Sequence, residues 1–570
     1  MNILGLNYRF HDTSACILTD GKLIVAIEEE RLTRKKHAWE FPSRAIDACL
    51  KQASMDYSDL DYVALSFKPA HKVLPRLAYA GIHAANVPSF VSKEFGGAFL
   101  KQRAFWAWYN AHWPEKPKGP HPVFIEHHVC HAAGSFLVSP YDRAAVLSID
   151  GSGEWATSWL GQGEGTACER FHQSYFPMSL GSFYEAVTQY CGFQTNYDEG
   201  KTMGLAAWGD PARYGPIVDD IVTVGADGAI HVDLSFFSFQ YWGRRWCSQK
   251  FYDVFGPPRD PSSGKDTFDQ RHMDVAAAFQ NTLEKRALEL CRVLRRRTNA
   301  EYLVIGGGVA LNSVMNGRIV RESGFRDAYV MPAAGDNGTA IGAAFYLYNS
   351  VLGKPREFVH LDPYVGPSYS DDQLSSIIRE CKLAAVRHAD IARATARVIR
   401  EGAIVGWFQG RMEIGPRALG NRSILADPTV KDMKTRMNAE VKHREAFRPF
   451  APAIPRECKG AYFDTGVDDP FMLKVCDVLL DKRDLLPAIT HVDGTARLQT
   501  VDKDVNPLFH ELLLRFGELS GIPVLLNTSF NIMGEPIVES PHDAIRCFFS
   551  TGIDYLVLGN YMIGKRVVHS

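Results

Sequence analysis

The stretch Glu126–Glu154, EHHVCHAAGSFLVSPYDRAAVLSIDGSGE, carries three signals in order. His127 and His131 stand four apart. On a helix that spacing puts both imidazoles on one face, a turn apart, which suits two ligands of one metal ion. Ala132, Ala133, Gly134 and Ser135 follow, small enough for the helix to press against a sheet. Ala144–Ile149 is a short apolar run typical of a buried strand, and it ends in Asp150-Gly151-Ser152-Gly153. A carboxylate at a strand end can hold a cation, and a loop with little side-chain bulk lets backbone N–H groups approach phosphates. Metal, phosphate and strand end are expected to converge here. Taken singly, an HxxxH pair is more often two ordinary histidines, and DGSG is more often a turn. His128 adjoins His127, so the choice of ligands also depends on helix phase.

Upstream, Ile3–Asn7, Ala15–Leu18 and Leu23–Ile27 read as strands, with a hairpin signal at Thr19-Asp20-Gly21-Lys22. The loop between the first two carries His11, Asp12, Thr13 and Ser14, one way of presenting side chains to a phosphate or substrate. Glu28–His37, EEERLTRKKH, is a charge run of the kind that is usually solvated; the other reading has Lys35 and Lys36 reach a nucleotide phosphate. Residues 68–120 hold an aromatic cluster (Phe105, Trp106, Trp108, Tyr109, Trp113), and Phe236–Phe255 is aromatic-rich too. Each is a packing element by default, or part of an acceptor pocket inserted between core strands.

Downstream, Leu180–Gly192 and Asp274–Thr298 read as helices. Tyr302–Ile305 reads as a buried strand running into Gly306-Gly307-Gly308-Val309-Ala310-Leu311-Asn312, where three glycines permit close approach of a planar or phosphorylated ligand. Asp336, in Ala334-Gly335-Asp336-Asn337-Gly338, is a second acid in the same sense as Asp150. Pro355–Asp371 is irregular and proline-bearing, and reads as a linker between domains at 1–354 and 372–570. The second segment collects Arg411 to Gly420, Lys442 to Phe450, Arg497, and Asn527-Thr528-Ser529-Phe530-Asn531. Several arginines, a lysine, an amide and a hydroxyl make the inventory of a phosphate or carboxylate pocket.

Bulk properties narrow the class. The 570 residues exceed one ordinary core. With 46% hydrophobic and 22% charged residues the composition is globular. A net charge of −2, from 63 basic and 65 acidic residues, gives no global field for nucleic acid or an anionic membrane. No apolar stretch approaches a membrane span, and MNILGLNYRFHD lacks a signal-peptide pattern. The 11 scattered cysteines form no CxxC pair, so reduced thiols and a cytoplasmic location are expected.

Taken together, EEERLTRKKH, EHHVCHAA, SIDGSGEWAT, GKTMGLAAWG, GGGVALN, GRMEIGPRALGNRS, FRPFAP and LNTSFN resemble, in this order, the O-carbamoyltransferases of antibiotic and nodulation-factor biosynthesis (the NodU/CmcH/TobZ type). The resemblance covers nearly the whole chain. It implies an α/β protein with an N-terminal actin/hexokinase-like (Kae1-like) ATPase domain followed by an α/β YrdC-like domain; residues 68–120 and 210–270 match no family motif, and acceptor-pocket insertions are expected there. It implies an ATP-dependent O-carbamoyltransferase that makes carbamoyl-adenylate from carbamoyl phosphate and ATP, then transfers the carbamoyl group to a hydroxyl of a small, natural-product-like acceptor. It also favours the outer histidines: His127, His131, Asp150 and Asp336 would hold Fe(2+) or another divalent transition metal, with Mg(2+) open as a further ion. Lys36, Asp150, Gly151, Gly307, Gly308 and Asn312 would line the ATP site. Arg417, Lys442, Arg448, Arg497, Asn527 and Ser529 would hold carbamoyl phosphate. His11 would be the general base for the acceptor hydroxyl, since a neutral imidazole can take the proton as a weak alcohol nucleophile attacks. Ala310 departs from the glycine common at that place in relatives.

Two alternatives stand beside this. A tRNA threonylcarbamoyl-type enzyme would need a basic, aromatic-studded surface, which the balanced charge disfavours. A nucleotide- and metal-binding regulator would need neither His11 nor the second arginine set. The expected partner is a small hydroxylated acceptor, with no nucleic acid and no membrane; oligomeric state is open, a homodimer included.

Overall fold

Asp20 and Gly21 have φ of 46° and 79°, and Thr19 pairs with Lys22 across them. That two-residue turn matches strand twist, and it starts the first sheet. The computed structural model describes residues 1–8, 11–69, 71–83, 88–115 and 119–565. The chain divides into two compact units: Met1–Glu29 with His37–His360, and Glu30–Lys36 with Leu361–Ser570.

Among the described residues the first unit is built on two five-stranded sheets of the same design. In one, β1 (Asn2–Asn7), β2 (Ser14–Thr19) and β3 (Lys22–Glu28) form an antiparallel meander, and β4 (Tyr62–Leu65) and β5 (His121–Phe124) add in parallel beyond β1. In the other, β6 (Arg143–Gly153), β7 (Ala156–Glu164) and β8 (Ala167–His172) form the meander, and β9 (Tyr302–Gly306) and β10 (Asp327–Val330) add in parallel beyond β6. This duplicated arrangement is the actin/hexokinase-like α/β fold expected from the sequence. Helix His127–Phe136 leads towards β6, and helix Thr339–Phe345 packs on both that helix and β1. Small residues let them approach. A Cβ on Gly342 would lie 1.9 Å from the carbonyl oxygen of Cys130, and one on Gly134 would lie 3.1 Å from Gly342 Cα.

The second unit is α/β as well. Its eight-stranded mixed sheet includes, side by side, Val405–Phe408, Arg422–Ala426, Leu525–Ser529 and Ala451–Pro455. Side chains alternate between two cores: Trp407 and Leu425 face one, with Phe509, Leu512 and Ile399, while Phe408 and Ile424 face the other, with Ala544 and Phe548. Both faces of the sheet are therefore covered, and each fully buried large side chain contributes about 1.5–3 kcal/mol.

The start of the charge run corrects one expectation, whereas Lys35 and Lys36 at its end are exposed. Glu29, Glu30 and Arg31 are buried, not solvated. Glu29 accepts the Ala45 N–H within the first unit. Arg31 donates to Gly415 O, and Arg34 donates to Pro536 O and Ile537 O, within the second. Among the described residues no cysteine forms a disulfide bond, and no helix is long and apolar enough to cross a membrane.

Candidate active site

The small-residue contact between helices His127–Phe136 and Thr339–Phe345 decides where the candidate metal ligands fall. His127 and His131 project from one helix, Asp336 from the turn opening the other, and Asp150 from within β6. Gly153 completes the fit, since a Cβ there would lie 2.1 Å from the His127 ring. His131 Nε2 is 3.0 Å from His127 Nε2 and 2.9 Å from Asp150 Oδ2. Asp336 Oδ1 is 3.3 Å from His127 Nε2 and 3.5 Å from His131 Nε2; Asp150 Oδ2 is 3.8 Å from His127 Nε2. A tetrahedral ion with bonds of about 2.0–2.2 Å separates its ligand atoms by about 3.3–3.6 Å. Two buried imidazoles and two carboxylates within 4.8 Å therefore fit one divalent transition metal, with donor types suited to iron or zinc.

Electrostatics agrees. Burial disfavours the charged His127 ring, but Asp336 and Asp150 outweigh it and push it up to about 10. Burial likewise works against ionised Asp336, and the histidines hold it down at about 2. His128 behaves differently. Its ring nitrogens lie 3.1 Å from Ser148 Oγ and 3.1 Å from Ala156 O, and burial pushes it down to about 3. It is a satisfied core histidine, and helix phase selects the outer pair.

His11 borders this cluster, its N–H donating to Asp336 Oδ2 at 3.2 Å. Its Nδ1 is 2.9 Å from Asp12 Oδ2, while His37 Nδ1 is 2.7 Å from Asp12 Oδ1. Tyr197 packs edgewise on both rings. Burial lowers His11, yet Asp12 first, then Asp336 and Glu199, raise it to about 10. A cation among the four ligands would neutralise Asp336 and repel the imidazolium, moving His11 back towards the range of a base.

Of the residues expected at ATP, Gly307 has φ 88°, and a Cβ there would lie 2.1 Å from Ile149 O. Gly308 follows, where a Cβ would lie 3.0 Å from Asp150 Oδ1. Gly151 N–H turns back to Asp150 Oδ1 at 2.7 Å. Asn312 caps helix Ser313–Glu322 by accepting from Met315 N–H, and exchanges two bonds with Gln280. Lys36 belongs to the second unit, where its charge acts on Lys442. The two aromatic insertions meet in the first unit: Tyr79 donates to Gln240 O at 3.1 Å, and Tyr79, Phe90, Phe176 and Trp242 assemble beside Trp155, two residues past Gly153.

In the second unit burial, then Arg497 and Arg448, hold Arg417 well below the usual arginine range. Arg497 is lowered to about 10 by burial and Arg448. Lys442 is pushed far down by burial, then by Arg444, Arg448 and Lys36; its Nζ donates to Ser529 and Asn531. Asn527 donates to Gln499 Oε1 at 2.8 Å, but its buried Oδ1 has no partner. Crowded cations beside an unpaired amide oxygen call for an anion that also carries N–H donors.

A carbamoyltransferase N-terminal family profile matches residues 2–345, and a carbamoyltransferase C-terminal profile matches residues 396–565. The chain belongs to the carbamoyltransferase family. It is 39% identical over 600 residues to an uncharacterised protein of Synechocystis, covering 99% of this chain and 97% of that one. It is 36% identical to nodulation protein NolNO of Sinorhizobium fredii, over 99% of this chain and 81% of the other. With the 3'-hydroxymethylcephem-O-carbamoyltransferase of Streptomyces clavuligerus it shares 28% identity over 96% of each.

Sequence reasoning about this carbamoyltransferase missed three supporting groups. Arg444 joins the cationic cluster, donating to Asn438 Oδ1 and Pro449 O and stacking over Phe450. Glu413 shapes the 413–422 loop by accepting N–H bonds from Leu419 and Arg422. Glu154 accepts from His127 N–H and Lys68 N–H, and burial raises it to about 7. All three lie inside stretches singled out above (Glu154 in SIDGSGEWAT), and for Glu413 the available signal is a carboxylate in a Gly/Pro-rich apolar segment.

Proposed function

We propose that this carbamoyltransferase makes carbamoyl-adenylate from carbamoyl phosphate and ATP, then transfers the carbamoyl group to a hydroxyl of a small acceptor. The observation that carries the reading is the set Arg417, Lys442, Arg444, Arg448 and Arg497, crowded against one another's charge beside the unpaired Asn527 Oδ1. Carbamoyl phosphate matches both demands: its phosphate answers the cations, and its NH₂ can donate to Asn527.

The balance is as follows. Water cleaves the carbamoyl–phosphate link to give carbamate and phosphate. A carbamate oxygen attacks the α-phosphorus of ATP, and pyrophosphate leaves with the electron pair of the broken P–O bond. The acceptor oxygen then attacks the carbamoyl carbon, loses its proton, and AMP departs. Within the first unit Gly307, Gly308 and Gly151 give ATP room against the backbone, with Asn312 as a further contact. A divalent metal, iron(II) in our reading, on His127, His131, Asp150 and Asp336 supplies Lewis-acid stabilisation of phosphate charge. His11 takes the acceptor proton at Nε2, which is buried and has no hydrogen-bond partner. The cephem relative's name gives its acceptor a hydroxymethyl group, which supports a small hydroxylated acceptor here, set against the aromatic wall of Tyr79, Trp155 and Trp242.

The test is pyrophosphate release from ATP with Fe²⁺ present, with and without carbamoyl phosphate. Release that depends on carbamoyl phosphate supports the reading. A folded, metal-loaded protein that releases none, even with hydroxylated compounds added, sinks it.

A further inference from the structure

Asp12 is the only acid in the loop between β1 and β2, and two imidazoles close on it from different segments. His11 Nδ1 meets one carboxylate oxygen at 2.9 Å and His37 Nδ1 meets the other at 2.7 Å. The rings sit 4.8 Å apart, and Tyr197 stands nearly perpendicular to both at 5.3 and 4.4 Å. The same three residues could be read as ligands of a second cation. The pattern of contacts argues otherwise, because each nitrogen addresses a different oxygen, as two N–H donors do when they share a carboxylate. A ring bonded through Nδ1 presents Nε2, and His11 Nε2 is the atom left without a partner.

We propose that Asp12 and His37 are positioning residues: Asp12 fixes the His11 ring with Nδ1–H bonded and Nε2 presented to the acceptor, and His37 holds the carboxylate for that task. Asp12 has φ 48° and His37 φ 55°, so both sit on turns that fix where their side chains point. Tyr197 packs against both rings. The functional half of this inference rests on the carbamoyl-transfer reading, whereas the geometric half does not.

The test uses the full chain carrying ring-¹⁵N histidine and loaded with Zn²⁺. Wild type should show two downfield, hydrogen-bonded Nδ1–H signals, one each from His11 and His37. Asp12→Asn should remove or strongly shift both together; His37→Gln should remove one and leave the His11 signal. Release of pyrophosphate driven by carbamoyl phosphate should stay within about twofold in both variants, since positioning of His11 serves the second step. A His11 signal unchanged in Asp12→Asn would overturn the proposal. So would two Zn²⁺ per chain in wild type falling to one in Asp12→Asn, because the cluster would then be a cation site. If Asp12→Asn does not fold, His37→Gln carries the test: a His11 signal that is retained but shifted supports the proposal, and one unchanged from wild type overturns the part given to His37. Wild type that releases no pyrophosphate would sink the reading of function and leave the spectra to judge the dyad.

Discussion

A Cβ on Gly342 would stand 1.9 Å from the carbonyl oxygen of Cys130, so the helix carrying His127 and His131 is set against the helix that follows Asp336 at backbone contact. The geometry of the candidate metal cluster therefore depends on a glycine that touches none of its four residues. Overpacking typically costs 1–3 kcal/mol, and displaced support typically lowers metal affinity about 10–100-fold. Gly342→Val is expected to do both, read by melting and by competition with a chelator. Wild-type metal affinity in a folded Gly342→Val protein would contradict this account.

His131 and His128 separate the two uses of histidine in one helix. His131→Ala should abolish stoichiometric metal binding. His128→Ala should keep the metal while losing about 1–3 kcal/mol, because Ser148 Oγ and Ala156 O lose their buried partner. Metal analysis beside a melting curve checks both, and the reverse split would remove the outer-pair assignment.

Much of this was readable beforehand where chemistry and period coincide. The hairpin at Asp20-Gly21, the buried run before Asp150 and the spacing of His127 and His131 each follow from a local rule. Residues 30–36 do not, because their partners lie 384 residues away at Gly415 and 503 away at Ile537; a charge run read locally looks solvated. His128 against His131 was likewise open, since phase depends on which face meets the helix at Gly342. The Asp12–His37 bond joins loops with no periodicity, so spacing carries no trace of it.

Arg497 tests whether the second unit is built for binding at the expense of stability. Its Nε is buried without a partner, and burial with Arg448 lowers it to about 10. Apolar replacement of a buried, poorly compensated charge is often stabilising by about 1–4 kcal/mol. Arg497→Met should therefore melt a few degrees higher without ligand, at about 2–4 °C per kcal/mol. It should also lose about 10²–10³-fold in pyrophosphate release driven by carbamoyl phosphate. Inorganic phosphate should stabilise wild type by linkage and leave the variant's melting point nearly unmoved. A variant that melts lower yet keeps its response to phosphate would count against a binding role.

Asp469 gives the second unit a pH dependence of defined sign. Its carboxylate accepts N–H bonds from Phe471, Leu473 and Lys474, yet burial outweighs them and raises it from 3.8 to about 6. Below about 3.8 it is protonated in folded and unfolded chains alike, and its contribution to stability is fully present. Between about 3.8 and 6 the unfolded chain has released the proton while the folded chain keeps it, so stability falls as pH rises. Above about 6 the loss levels off, at roughly 3 kcal/mol for a shift of about two units. Asp469→Asn removes the titration, so the difference in unfolding free energy between variant and wild type should change across that window and stay flat above it. Denaturant unfolding at pH 4, 5, 6 and 7.5 measures this. A difference that is constant from pH 4 to 6, or that changes in the opposite direction, would mean the folded carboxyl is not raised, and that the cations at Arg417 and Arg497 prevail over burial.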